Sequence, residues 1–166
     1  MKITWNGNPV ELYGTPLQPG DPLPDFTLHD NQLNPVHRER FDGTCVLVVV
    51  PSLDTGVCDL EVKNFNKKAA SFPHTRIYAV SADLPFAQAR WCGSNGIDAV
   101  QTLSDYFDHS FGKATGTLVP AFSLLARAVF LVDQYGIIQY AEYVPEVTSH
   151  PDYNAIYQVL ETCTAN

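Results

Sequence analysis

With 166 residues, 45% apolar and 17% charged, the chain suits one domain whose core buries most of its apolar surface, and it falls outside the disordered class. Eighteen acidic residues against ten basic ones give a formal net charge of −8, so the basic footprint of a nucleic-acid binder is missing and an anionic membrane surface is disfavoured. The longest apolar stretch, Ala121 to Val132, is broken by Arg127 and falls short of the about 20 residues that a spanning helix needs.

The elements follow in chain order. Ile3 to Trp5 and Val10 to Tyr13 flank Asn6-Gly7-Asn8 and predict a β-hairpin, because Asn-Gly supplies the positive φ angles of a tight turn. Pro16 to Pro24, rich in proline, predicts a connecting loop. Phe26 to His29 and Leu33 to His37 suit short strands. Cys45 to Val50 is a continuous apolar, mostly β-branched run, as expected of a strand buried on both faces, and Pro51 stops it. Cys58, Val62, Phe65, Ala69 and Phe72 then form one helical stripe. Arg76 to Ser81 is the next strand. Asp83 is placed as the N-cap of a short helix opened by Leu84-Pro85 and ended by Gly93. Val100 to Leu103 suits a strand, whereas Phe107 to Gly116 fits neither period. Arg127 to Val132 and Ile137 to Val144 suit paired strands joined at Asp133-Gln134-Tyr135-Gly136. Pro151 opens a last helix with Tyr153, Ile156, Tyr157, Leu160 and Cys163 on one stripe. The order predicts an α/β fold, a mixed central sheet with flanking helices and an N-terminal β-hairpin within residues 1–15. One domain over 1–166 is expected, with no internal repeat.

The four cysteines, Cys45, Cys58, Cys92 and Cys163, form no C-x-x-C pair, which weakens a zinc site and a thioredoxin-type motif. The five histidines are scattered, and neither a Gly-rich phosphate loop nor a G-x-S-x-G elbow occurs, so no metal and no cofactor is expected. Met1 to Gly7 lacks the apolar core of a signal peptide, and a cytoplasmic protein is the expectation.

The informative stretch is Pro51-Ser52-Leu53-Asp54-Thr55-Gly56-Val57-Cys58. A buried strand ends, a loop turns, and a cysteine arrives in the first turn of a helix. Unpaired N–H groups and the positive end of the helix dipole there favour a thiolate, the nucleophilic form. Thr55, three residues earlier, can place a hydroxyl beside the sulfur. A buried packing cysteine accounts for Cys58 about as well on these grounds alone. Arg127, a lone charge in an apolar strand, reads on its own as an edge gatekeeper or half of a structural ion pair. Cys45 and Cys163 read as packing residues.

Pro51-x-x-x-Thr55-x-x-Cys58 resembles the peroxidatic signature of the peroxiredoxins, and the run PSLDTGVC resembles their bacterial thiol peroxidase branch, which uses two cysteines. Ser81 to Gln88 followed by Arg90-x-Cys92-Gly93 is similar to that branch's resolving-cysteine segment. Leu125 to Val129 is similar to its arginine-bearing strand, Pro151-Asp152-Tyr153 to its closing helix, and Gly7 to Val10 to its N-terminal hairpin. The resemblance implies a thioredoxin-like fold and a peroxidase acting on hydrogen peroxide and organic hydroperoxides. Cys58 would become a sulfenic acid, Cys92 would resolve it as an intramolecular disulfide, and thioredoxin would reduce that disulfide. Arg127 would stabilise the thiolate and the leaving oxygen, Thr55 would hydrogen-bond peroxide or sulfur, and Pro51 would shield the pocket. A homodimer is implied. Gly112 to Gly116 departs from the branch, where an aromatic residue often precedes the glycine.

Cys92, before the helix-poor run Gly93-Ser94-Asn95-Gly96, is expected at a helix end that unravels at low cost; a cysteine merely packed beside Trp91 is the alternative, which the matching segment disfavours. Two other functions compete. A thioredoxin-like redox sensor or interaction module would use the same cysteine pair. Asp54-Thr55-Gly56 also matches the aspartic-protease tripeptide, which needs a second such aspartate and a nearly all-β fold.

Overall fold

The computed structural model describes residues 1–164. The elements are β1 (Lys2–Trp5), β2 (Asn8–Glu11), β3 (Thr27–His29), β4 (Pro35–His37), β5 (Cys45–Val49), α1 (Gly56–Lys68), β6 (Arg76–Ser81), α2 (Pro85–Asn95), β7 (Val100–Ser104), α3 (Ser110–Thr115), β8 (Leu118–Val119), β9 (Leu124–Leu125), β10 (Ala128–Val132), β11 (Ile138–Tyr143) and α4 (Tyr153–Thr164). Strands β1 and β2 form the expected hairpin, with Asn6 and Gly7 at φ +52° and +78° as its turn demands.

Seven strands make one mixed sheet in the order β11-β10-β5-β6-β7-β3-β4. β5, β6 and β7 run parallel, and β10 and β11 add antiparallel at one side. Every residue of the central β5 is buried. Its side chains alternate between two cores, as a strand period of two requires. Cys45, Leu47 and Val49 face Phe26, Phe111, Phe130 and Leu118 on one side, which α3 and the loop before β3 cover. Val46 and Val48 face Cys58, Val62 and Phe65 of α1, Trp91 of α2, and Ile156 and Leu160 of α4. The predicted α/β arrangement of a mixed sheet with flanking helices therefore holds.

Three local expectations are corrected. Asp83 does not cap α2: Leu84 holds that position without a side-chain cap bond, and the Asp83 carboxylate points across to another loop. Gly93 does not end α2, which runs on to Asn95, because Gly96, at φ +63°, supplies the left-handed residue that closes a helix. Arg127 sits one residue before β10 rather than within it. The unassigned Phe107–Gly116 region holds the short α3, and the β8–β9 pair was not foreseen because each strand has only two residues.

The hairpin is docked onto the segment before α4. Thr4 donates its N–H to the Pro145 carbonyl at 2.8 Å and accepts from the Val147 N–H at 2.9 Å. The Glu146 carboxylate accepts from the Gly7 N–H and the Thr4 hydroxyl. Those bonds, with two from Thr148, hold the Glu146 carboxyl down at about 2.

Candidate active site

Strand β5 carries the chain into the loop Pro51–Thr55, and Thr55 caps α1, taking the Cys58 N–H on its hydroxyl oxygen at 3.3 Å. That cap places Cys58 in the first turn of the helix with its side chain toward the sheet, where it has no exposed surface. The Thr55 hydroxyl donates to Cys58 Sγ at 2.6 Å. Arg127 Nη2 donates to the same sulfur at 3.3 Å, from 69 residues further along the chain. The sulfur thus receives one hydroxyl and one cationic donor, both of which stabilise negative charge on it. Pro51 is buried between the end of β5 and this loop.

Arg127 is 2% exposed, and its three donors reach three segments. Nε donates to the Val147 carbonyl at 2.7 Å, Nη1 to Glu61 Oε2 at 2.5 Å, and Nη2 to Cys58. Burial works against the charged guanidinium, but the attraction of Glu61 and Cys58 outweighs it and raises its pKa. Glu61 has no exposed surface, and its second oxygen, Oε1, has no hydrogen-bond partner among the described residues. Burial pushes the Glu61 carboxyl up to about 7, against the pull of Arg127.

Sequence reasoning missed Glu61. The signal was there: it lies three residues after Cys58, on the stripe that continues with Val62 and Phe65, where a solvated glutamate has no place. Arg127 was the matching lone charge in an apolar strand, so each of two buried segments held one ion of opposite sign.

A second polar anchor fixes the loop before Cys58. Asp83 accepts from the Ser52 hydroxyl at 2.7 Å, from the Leu53 N–H at 2.8 Å and from the Ser81 hydroxyl at 2.8 Å. Gln88 of α2 extends this network by donating to Ser81 Oγ and to the Leu103 carbonyl. Replacing Asp83 by Ala orphans the Ser52 and Leu53 donors, and is expected to lower the unfolding free energy by about 1–3 kcal/mol. Urea denaturation checks this. An unchanged midpoint would show that the loop keeps its place without the anchor.

Cys92 is half-buried on α2 and packs against the same apolar cluster as Cys58. Its sulfur lies 3.7 Å from Thr102 Oγ1, and burial raises its thiol pKa more than that contact lowers it. Among the described residues all four cysteines are free thiols, and Cys58 and Cys92 each sit inside an intact helix. The structure thus gathers Cys58, Thr55 and Arg127, and leaves Cys92 on the neighbouring helix. Cys45 is fully buried on β5, its thiol pushed up to about 12 by burial, as a packing residue should be. Cys163 is half-buried on α4, against the same cluster as Cys58.

The aspartic-protease alternative fails on placement. Asp54 is exposed, Thr55 is spent as a helix cap, and the fold is α/β. No group of three or more His, Cys, Asp or Glu side chains that could hold a metal occurs among the described residues. A surface cavity of about 880 Å³ opens at the other end of β5, beside Thr44, Phe72 and Asp133, and none of the residues around Cys58 lines it. No helix among the described residues is long and apolar enough to cross a membrane.

Comparison with known proteins identifies the family. Residues 18–157 match the family model described as Redoxin. A thiol peroxidase of Bacillus subtilis strain 168 is 50% identical, the match covering 92% of this chain and 92% of the relative. A thiol peroxidase of Clostridium acetobutylicum is 47% identical over 97% of this chain and 98% of the relative. The crystal structure of a peroxiredoxin-like protein from Aquifex aeolicus superposes with a TM-score of 0.88 at 36% identity, covering 96% of each chain. With a thioredoxin-like fold, this site and these relatives, the chain belongs to the redoxin family, in its thiol peroxidase branch.

Proposed function

We propose that this chain is a thiol-dependent peroxidase that reduces hydrogen peroxide and organic hydroperoxides at Cys58, with Cys92 as the resolving thiol and thioredoxin as the reductant. The observation that carries the reading is the buried Cys58 sulfur flanked by the Thr55 hydroxyl and the Arg127 guanidinium. The sulfur attacks one peroxide oxygen as the O–O bond breaks. A sulfenic acid forms on Cys58, and the other oxygen leaves as hydroxide or alkoxide and takes up a proton. Arg127 and Thr55 are placed to stabilise the charge that moves from sulfur to that leaving oxygen. Pro51, buried beside the turn, shields the sulfur from solvent.

Cys92 then attacks the sulfenic sulfur. The S–S bond forms, the S–O bond breaks, and hydroxide leaves, taking the Cys92 proton to become water. A dithiol of the thioredoxin kind reduces the disulfide and is itself oxidised. The reading extends to a cytoplasmic homodimer in which each chain is one domain. Leu84 and Phe86, exposed at the start of α2, offer apolar surface for such a contact.

The test is a titration of the reduced protein with one equivalent of hydrogen peroxide, followed by peptide mapping without reductant. The expected product links the Cys58 and Cys92 peptides with the loss of two hydrogens. A stable sulfenic acid with no linked pair would remove Cys92 from the scheme. An unmodified Cys58 would remove the whole reading.

A further inference from the structure

Trp91 and Asp59 sit next to the two cysteines, one on each helix. The Trp91 indole Nε1–H donates to Asp59 Oδ1 at 3.0 Å. Asp59 follows Cys58 in the first turn of α1, and Trp91 precedes Cys92 in α2. The indole is nearly buried in the core between the helices and the sheet. The other Asp59 oxygen is held by Lys63 at 2.8 Å, which fixes the carboxylate toward the indole. One bond therefore ties together the two helical turns that carry the thiols.

A disulfide needs the two Cα atoms within roughly 7 Å and the side chains aimed at each other. Here both cysteines lie inside intact helices, and neither sulfur contacts the other: Cys58 Sγ is held by Thr55 and Arg127, and Cys92 Sγ faces Thr102. Joining them means unwinding the turn of α1 at Cys58–Asp59, the turn of α2 at Trp91–Cys92, or both. Either unwinding breaks the indole–carboxylate bond.

We propose that the Trp91–Asp59 hydrogen bond is a latch that sets the rate at which Cys92 reaches the Cys58 sulfenic acid, with Trp91 and Asp59 as positioning residues for the resolution step. The proposal rests on Cys92 being the resolving thiol. The latch holds the sulfenic acid in the closed site, where a second peroxide converts it to a sulfinic acid by delivering one oxygen and leaving as water or alcohol. Loosening the latch favours the disulfide over that dead end.

The experiment uses the full-length chain. Trp91→Phe keeps the apolar bulk and removes the donor, and Asp59→Ala removes the acceptor. Tyr157→Phe is the control: it deletes a different side-chain bond to α1, the one Tyr157 makes to Asn64. Each reduced protein is mixed with one equivalent of hydrogen peroxide, quenched with acid at set times, and scored by mass spectrometry for sulfenic acid and disulfide.

The expected result is disulfide formation faster by about tenfold in Trp91→Phe, the effect of losing one hydrogen bond to a charged acceptor. Asp59→Ala gives a similar gain, and the double variant no more than either single, because both remove the same bond. Tyr157→Phe stays within about twofold of the parent. At excess peroxide, Trp91→Phe accumulates less sulfinic acid. Disulfide formation in Trp91→Phe at the parent's rate overturns the latch, as does an equal gain in Tyr157→Phe or full additivity in the double variant. A parent that forms sulfenic acid but never the Cys58–Cys92 disulfide overturns the two-cysteine reading itself, and the latch with it.

Discussion

Cys58→Ser is expected to consume no peroxide above background with either thioredoxin or dithiothreitol, a loss on the order of a thousandfold or more. The serine keeps the helix cap and the buried volume, but its hydroxyl is a far weaker nucleophile than a sulfur stabilised by Thr55 and Arg127. Cys92→Ser behaves differently. It loses turnover supported by thioredoxin, because no disulfide forms, and keeps a measurable rate with dithiothreitol, which is small enough to reduce a sulfenic acid directly. Peroxide consumption followed over many equivalents reads both results. It also separates an enzyme from a redox sensor, since a sensor would stop after one equivalent. Activity remaining in Cys58→Ser would sink the assignment of the nucleophile.

The second large effect is expected at the buried ion pair. Glu61→Ala leaves the Arg127 guanidinium buried without its carboxylate, which costs about 3–5 kcal/mol of stability. It also removes the anchor that aims Nη2 at Cys58, so the peroxide reaction slows by about tenfold or more. Glu61→Gln keeps an oxygen for Nη1 to bond, and its rate stays within a few-fold of the parent. Arg127→Ala strands the buried Glu61 in turn, so reactivity and stability are expected to fall together. Urea denaturation and stopped-flow kinetics measure the two. A Glu61→Ala protein as stable and as fast as the parent would show that the pair does neither job.

The pair also shapes the pH dependence. Burial raises the folded Glu61 carboxyl to about 7, above the ordinary carboxylate value it has when unfolded. Between those limits the folded state therefore binds more protons than the unfolded one. Its contribution to stability is full below the ordinary carboxylate range and is lost as the pH rises toward 7. Glu61→Gln removes this slope, and the difference between the two stability–pH curves isolates it.

Local periodicity made much of the fold legible. The run Cys45–Val50 announced the central strand, and the stripe from Cys58 to Phe72 announced α1, because each pattern repeats within a few residues. The Thr55–Cys58 spacing is likewise local and fell where a helix cap belongs. What was hidden depends on partners far along the chain. Asp83 looked like a cap because short acidic residues before a helix usually are, yet Ser52 and Leu53 claim it from about thirty residues away. Glu61 drew no reading at all, because only Arg127, 66 residues further along the chain, makes its burial tolerable. Gly93 read as a stop because sequence does not show which of two glycines three residues apart takes the left-handed conformation.

The docking of the first β-hairpin makes residues 2–11 and the segment before α4 mutually dependent. Thr4 holds the backbone of Val147, and the Val147 carbonyl is one of the three acceptors that orient Arg127. Removing the hairpin therefore disturbs the Cys58 sulfur, three contacts away from Thr4. An affinity handle for purification must leave the hairpin in place.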